Sequence, residues 1–145
     1  MNADSGCILC RIVAREAEAS VLYEDEAIMA FMNIRPINEG EFLVIPKEHI
    51  DHFYDLSDEL SCHILVQAQR LSRNLRDRLK PQRVGLVVHG FGVAHAHLVV
   101  VPQDGPDDIT SAKLAYVEQG QVKHDVERLP KPTREELNRL ARLLS

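Results

Sequence analysis

Two histidines two residues apart, His95 and His97, open an apolar run, Leu98-Val99-Val100-Val101, that closes at Pro102. Imidazole works near neutral pH as nucleophile, general base or metal ligand. On a β-strand, residues i and i+2 project from one face. The pattern therefore predicts both imidazoles emerging together, with Ala96, Leu98 and Val100 facing the other way. A bare His-x-His fits two hydrogen-bonded strand histidines as well as a site. The preceding Gly90-Phe91-Gly92 has the glycines of a tight turn, and the same glycines suit close backbone approach to a phosphate. A second chemically suggestive spacing is Cys7-x-x-Cys10, half of a tetrahedral metal site. No thioredoxin-like βαβ pattern surrounds it, which disfavours a redox pair and leaves metal ligands or two helix-face cysteines.

The elements that must position these residues are mixed. Cys7 to Arg15 predicts a short helix, with Ile8, Ile12 and Val13 near helical spacing. Val21-Leu22-Tyr23 and Ile28 to Met32 predict a hairpin through Glu24-Asp25-Glu26, and Phe42 to Ile45 predicts a strand ended by Pro46. Ser57 is a good N-cap, followed by Asp58 and Glu59 at the positive end of the helix dipole. Leu60, Ile64, Leu65, Ala68, Leu71, Leu75 and Leu79 then form a helical stripe that stops before Pro81. Val84 to Val88 and the His-x-His run read as two further strands. Thr133 with Glu136 makes a capping box opening a helix near 133–144. The outcome is an α+β domain around an antiparallel sheet of about five strands, with a short N-terminal helix and one long helix.

At 145 residues the chain fits a single domain, 1–145. A net charge of -5 argues against broad nucleic-acid or anionic-membrane binding. Arg70, Arg73, Arg76 and Arg78 cluster on the long helix and read as a solvated face. No signal-peptide pattern and no span of roughly 20 apolar residues is expected. Three cysteines, an odd number, suggest a reducing, cytoplasmic setting without a disulfide framework.

Taken in order, several pieces resemble the histidine-triad (HIT) superfamily: Cys7-Ile8-Leu9-Cys10-Arg11-Ile12, Tyr23-Glu24-Asp25, Ala30-Phe31-Met32-Asn33-Ile34, Phe42 to Ile50, and the His-x-His run. The core match covers 7–102; 103–145 is a C-terminal extension. The resemblance implies a HIT-like fold, a purine nucleotide or nucleotide conjugate as ligand, and chemistry at an α-phosphorus through a nucleotidyl-histidine. His97 stands at the nucleophile's position and His95 at the supporting, orienting one. The third histidine of the pattern is replaced by Val99, which donates no proton. Asn33 matches the ribose-binding position, Ile8, Leu9, Ile12 and Phe31 match the base pocket, and Ile34 is expected among the nucleotide-binding residues. Gly90, Gly92 and Val93 match the phosphate turn, where Phe91 and Gly92 replace the usual polar side chains. His89 lies near an asparagine position of relatives.

The resemblance also implies a structural zinc held by Cys7, Cys10, His49 and His95, and a homodimer. A closed four-ligand site leaves no metal-bound water, so hydrolysis by zinc is not expected. The reading that follows is a hydrolase or nucleotidyltransferase working through His97. Two alternatives stand beside it: a nucleotide-binding or signalling module that lost turnover with Val99, and a zinc-stapled partner protein. No membrane and no sequence-specific nucleic-acid partner is expected.

Overall fold

The computed structural model describes residues 6–109 and 113–145. A short helix, α1 (Ile8–Val13), precedes β1 (Val21–Glu24), β2 (Ile28–Met32) and β3 (Phe42–Pro46). The long helix α2 (Asp58–Leu79) follows, then β4 (Arg83–Val87) and β5 (Leu98–Gln103). The chain ends in a small hairpin, β6 (Ala115–Glu118) and β7 (Gln121–His124), and helix α3 (Arg134–Leu144). The first five strands form one antiparallel sheet in the order β1-β2-β3-β5-β4, and the hairpin is a separate two-stranded sheet.

Alternation divides the sheet into two cores. Ile28, Ala30, Met32, Phe42, Val44 and Val100 turn toward Ile64, Ala68, Leu71 and Leu75 of α2 and Leu137, Leu140 and Leu144 of α3. Met29, Phe31 and Ile45 turn the other way, onto Cys7, Leu9, Cys10 and Ile12 of α1. β2 is buried on both faces, which is why its sequence is uninterrupted Ile-Met-Ala-Phe-Met rather than alternating. The caps behave as their sequences dictate. Ser57 Oγ accepts from the Leu60 N–H, and Thr133 and Glu136 close a capping box. Lys80, in the left-handed region, ends α2 just ahead of Pro81.

A polar knot fixes the β1–β2 turn. Asp25 accepts the Ala27 and Ile28 N–H groups at 2.9 Å each, and its other oxygen accepts Tyr23 Oη and His63 Nε2 at 2.7 Å each. Burial pushes the Asp25 carboxyl up, but these four donors outweigh it and hold the group well below the usual carboxylate range. His63 lies on α2, so the knot ties the turn to the long helix.

The structure departs from the sequence reading in two places. The strand expected through His95 and His97 begins only at Leu98. The His95 N–H bonds Val93 O at 2.8 Å and the Ala96 N–H bonds Ile50 O at 2.7 Å, so neither joins the ladder that starts at Val44↔Leu98. The β6–β7 hairpin was not anticipated; Gln119 and Gly120 both take positive φ at its two-residue turn.

Candidate functional site

Four residues from three distant stretches of the sequence converge at α1. Ligand atoms of Cys7, Cys10, His49 and His95 all lie within 4.8 Å of one another. Cys10 Sγ is 3.2 Å from His49 Nδ1, and both sulfurs are 3.5 Å from His95 Nδ1. Zinc bonded to sulfur at about 2.3 Å and nitrogen at about 2.0 Å, in a tetrahedron, puts S and N about 3.5 Å apart. The donor spacing therefore fits zinc, and two thiols with two imidazoles is a donor set it favours. His95 Nε2 faces the Pro46 carbonyl at 2.8 Å, and a carbonyl only accepts. The proton is thus on Nε2, and the Nδ1 lone pair points at the sulfurs. Burial lowers the His95 pKa below its ordinary value, keeping the ring neutral as a metal ligand requires.

Two residues on, His97 is set by the same logic in reverse. Its Nδ1 lies 2.7 Å from the His95 carbonyl oxygen, so Nδ1 carries the proton and Nε2 keeps its lone pair. His97 is half-buried and lines an apolar groove of about 180 Å³ with Val44, Phe53, Ile64, Leu65 and Val88. A larger cleft, about 450 Å³, lies elsewhere, between the β2–β3 loop and α3.

The remaining expected site residues sort by burial. Leu9, Ile12 and Phe31 are core, packed around Met29 and Ile45, whereas Ile8 and Ile34 remain exposed. Val93 packs against the same core, and His89, Gly90 and Gly92 are exposed, with Gly92 at φ +102°. No side chain crowds either glycine: a Cβ added there would meet nothing within 4 Å. Phe91 between them is 94% exposed. Asn33, just past β2, donates from Nδ2 to Glu41 Oε1 at 2.6 Å and accepts the Arg35 N–H on Oδ1 at 3.0 Å. Glu41 was not singled out from sequence. The signal for it is register: β2 and β3 are paired, and Asn33 lies directly across from Glu41.

A HIT domain model matches residues 14–106. The chain belongs to the HIT domain family. Protein hit of Bacillus subtilis is 32% identical over 113 residues, covering 74% of this chain and 78% of its own. The fission yeast adenosine 5'-monophosphoramidase hnt1 is 33% identical over 99 residues, covering 67% of this chain and 74% of its own. A zinc-bound histidine triad family protein from Mycobacterium smegmatis superposes with a TM-score of 0.71 at 30% identity, over 96% of this chain and 92% of that one. The HIT match leaves out Cys7 and Cys10 at one end and α3 at the other, while the likeness to the mycobacterial fold spans nearly the whole chain. Among the described residues, no helix is long and apolar enough to cross a membrane.

Proposed function

We propose that this chain binds a nucleotide or nucleotide conjugate and cleaves it at the α-phosphorus through His97. The observation that carries this is the fixed tautomer of His97, whose Nδ1–H is held by the His95 carbonyl and whose Nε2 is left nucleophilic. The Nε2 lone pair attacks phosphorus while the bond to the leaving group breaks and takes its electron pair with it. The product is a nucleotidyl-imidazolium whose positive charge strengthens the hydrogen bond from Nδ1 to the carbonyl. Water or another acceptor then attacks phosphorus, loses a proton to solvent, and returns the N–P electrons to His97. The uncrowded Gly90 and Gly92 let the backbone of the turn approach the phosphate. Asn33 takes the ribose, and exposed Ile8 and Ile34 are the apolar surface left for a base. The relative named as a monophosphoramidase supports this class of reaction.

Cys7, Cys10, His49 and His95 would hold zinc, which when bound supplies a cross-link and no open coordination position. The apolar groove beside His97 and the exposed Leu65, Val66, Leu86 and Val88 border the open edge strand β4. A second copy covers this patch in our reading, giving a homodimer. Val99 and the bare side of the phosphate turn favour the second reading, a binding module without turnover.

The test is chemical trapping. Mixing the protein with radiolabelled AMP derivatives and quenching should yield a labelled nucleotidyl-histidine. His97→Ala should yield none and should abolish turnover while AMP still binds. Full activity in His97→Ala would overturn the assignment.

A further inference from the structure

Glu41 is an anomaly in the fold. It is 4% exposed, bears a carboxyl group, and forms no ion pair among the described residues. Taking a carboxylate out of water without a cation is costly, and burial raises its pKa accordingly. What it contacts accounts for its place in the fold. The Asn33 N–H bonds the Glu41 carbonyl at 2.9 Å, carrying the β2–β3 ladder one step beyond Met32↔Phe42. The two residues are therefore cross-strand partners, and their side chains share the face that carries Phe31 and Leu43.

Glu41 Oε1 accepts from Asn33 Nδ2 at 2.6 Å, and Oε2 accepts the Ile37 N–H at 2.7 Å. On the other side, Asn33 Oδ1 takes the Arg35 N–H at 3.0 Å. A carboxylate can only accept and a backbone N–H can only donate, so the carboxamide has one orientation. A carboxamide carries two N–H groups and two lone pairs. One of each is used, which leaves one donor and one acceptor. A glutamine at position 41 would close the loop on the Ile37 N–H equally well, but would then set its own NH₂ against that of Asn33. The carboxylate is needed for Asn33, not for the loop.

We propose that Glu41 is a positioning residue that fixes the Asn33 carboxamide to present one donor and one acceptor to a vicinal diol, selecting ribonucleotides. This rests on the reading that the chain binds nucleotides. The partner is recognised by its cis-diol; base and leaving group play no part.

Calorimetric binding of AMP and of 2',3'-dideoxy-AMP to the full chain tests the proposal. Wild type should bind AMP at least about tenfold tighter, the worth of one to two hydrogen bonds. Glu41→Gln should bring that ratio near one. The exchanged pair Asn33→Asp/Glu41→Gln should restore it. There the glutamine amide donates to the carboxylate introduced in place of Asn33, and the glutamine oxygen still accepts the Ile37 N–H. The same introduced carboxylate accepts from both hydroxyls. A merely structural Glu41 would change the melting temperature and leave the ratio alone. If Glu41→Gln does not fold, the exchanged pair carries the test, because it keeps both contacts that Glu41 makes, one to residue 33 and one to the Ile37 N–H. A wild-type ratio near one, an unchanged ratio in Glu41→Gln, or an exchanged pair that binds AMP without preference would each overturn the proposal. Wild type that binds neither compound would instead overturn the nucleotide reading beneath it.

Discussion

Val99→His asks what the sheet beside His97 lacks. Val99 lies two residues beyond His97 in β5, flanked in register by Leu43 of β3 and Val87 of β4, and is 7% exposed. The neighbouring positions on that face, Met29, Phe31, Leu43 and Ile45, are apolar, so none of these strand side chains supplies a proton to a departing group. On this reading the substrates turned over lose a group that is stable as an anion. Pyrophosphate or a phenolate qualifies, and an alkylamine does not. General acid catalysis is worth about 10²–10⁴-fold, so wild type should turn over alkyl phosphoramidates of AMP slower than aryl ones by about that factor. Val99→His should recover about 10²-fold on the alkylamine substrate and change anhydride cleavage by less than about threefold. The variant buries an imidazole N–H with no partner before substrate binds, costing about 2 kcal/mol. For a chain of this size that lowers the melting temperature by about 4–8 °C. The assay is kcat/KM across a series of AMP derivatives with leaving groups of graded basicity, read as log rate against leaving-group pKa. A steep slope in wild type that flattens in Val99→His is the expected result. A flat slope in wild type would refute the reasoning, because another donor such as His89 would already be serving. Turnover of nothing by either protein, with AMP still bound, would favour the binding module.

Elemental analysis of protein purified without chelator should find about one zinc per chain, with Cys10→Ser losing most of it and melting at least about 5 °C lower. Metal-free protein with both thiols alkylated freely and unchanged melting would defeat the zinc assignment. Sedimentation at micromolar concentration should give about twice the 16.4 kDa chain mass, and Leu65→Glu should shift the protein toward monomer. A monomeric wild type would contradict the covered patch.

Much of this architecture was legible because local signals agree with their tertiary use. The Ser57 cap, the stripe from Ile64 to Leu75, and the Thr133–Glu136 box each specify one element, and each element formed where its signal lay. The spacing Cys7-x-x-Cys10 was equally readable, although only the fold brings it to His49 and His95. The His-x-His run misled for a physical reason. Apolar alternation predicts a strand, but His95 is drawn out of the ladder by the Pro46 carbonyl and the cysteine sulfurs, a tertiary demand that outweighs β-propensity. Glu41 was invisible for the opposite reason: a glutamate beside a Gly reads as solvated loop until the β2–β3 register sets it opposite Asn33. The β6–β7 hairpin had a readable turn in Gln119-Gly120. The residues of β7 are exposed on both faces, so no alternation of burial marked them as a strand.

His95 links the Cys/His cluster to the proposed nucleophile two residues on. Its side chain has one nitrogen among the sulfurs and the other on the Pro46 carbonyl, so both ring nitrogens are engaged. Its backbone carbonyl is the acceptor that fixes the tautomer of His97. A ring clamped at both nitrogens holds its own backbone, and that backbone aims the next histidine. Leu98 begins the β5 ladder one residue later, anchoring the other side of His97. His97 is therefore suspended between two attachments rather than carried on a strand. In this arrangement zinc held by Cys7, Cys10, His49 and His95 would aid the proposed reaction without touching the reacting atoms, by removing motions that would turn Nε2 of His97 away from phosphorus. The departure from regular strand geometry at residues 95–97 is the means by which one histidine joins the cysteine cluster and fixes the tautomer of the next.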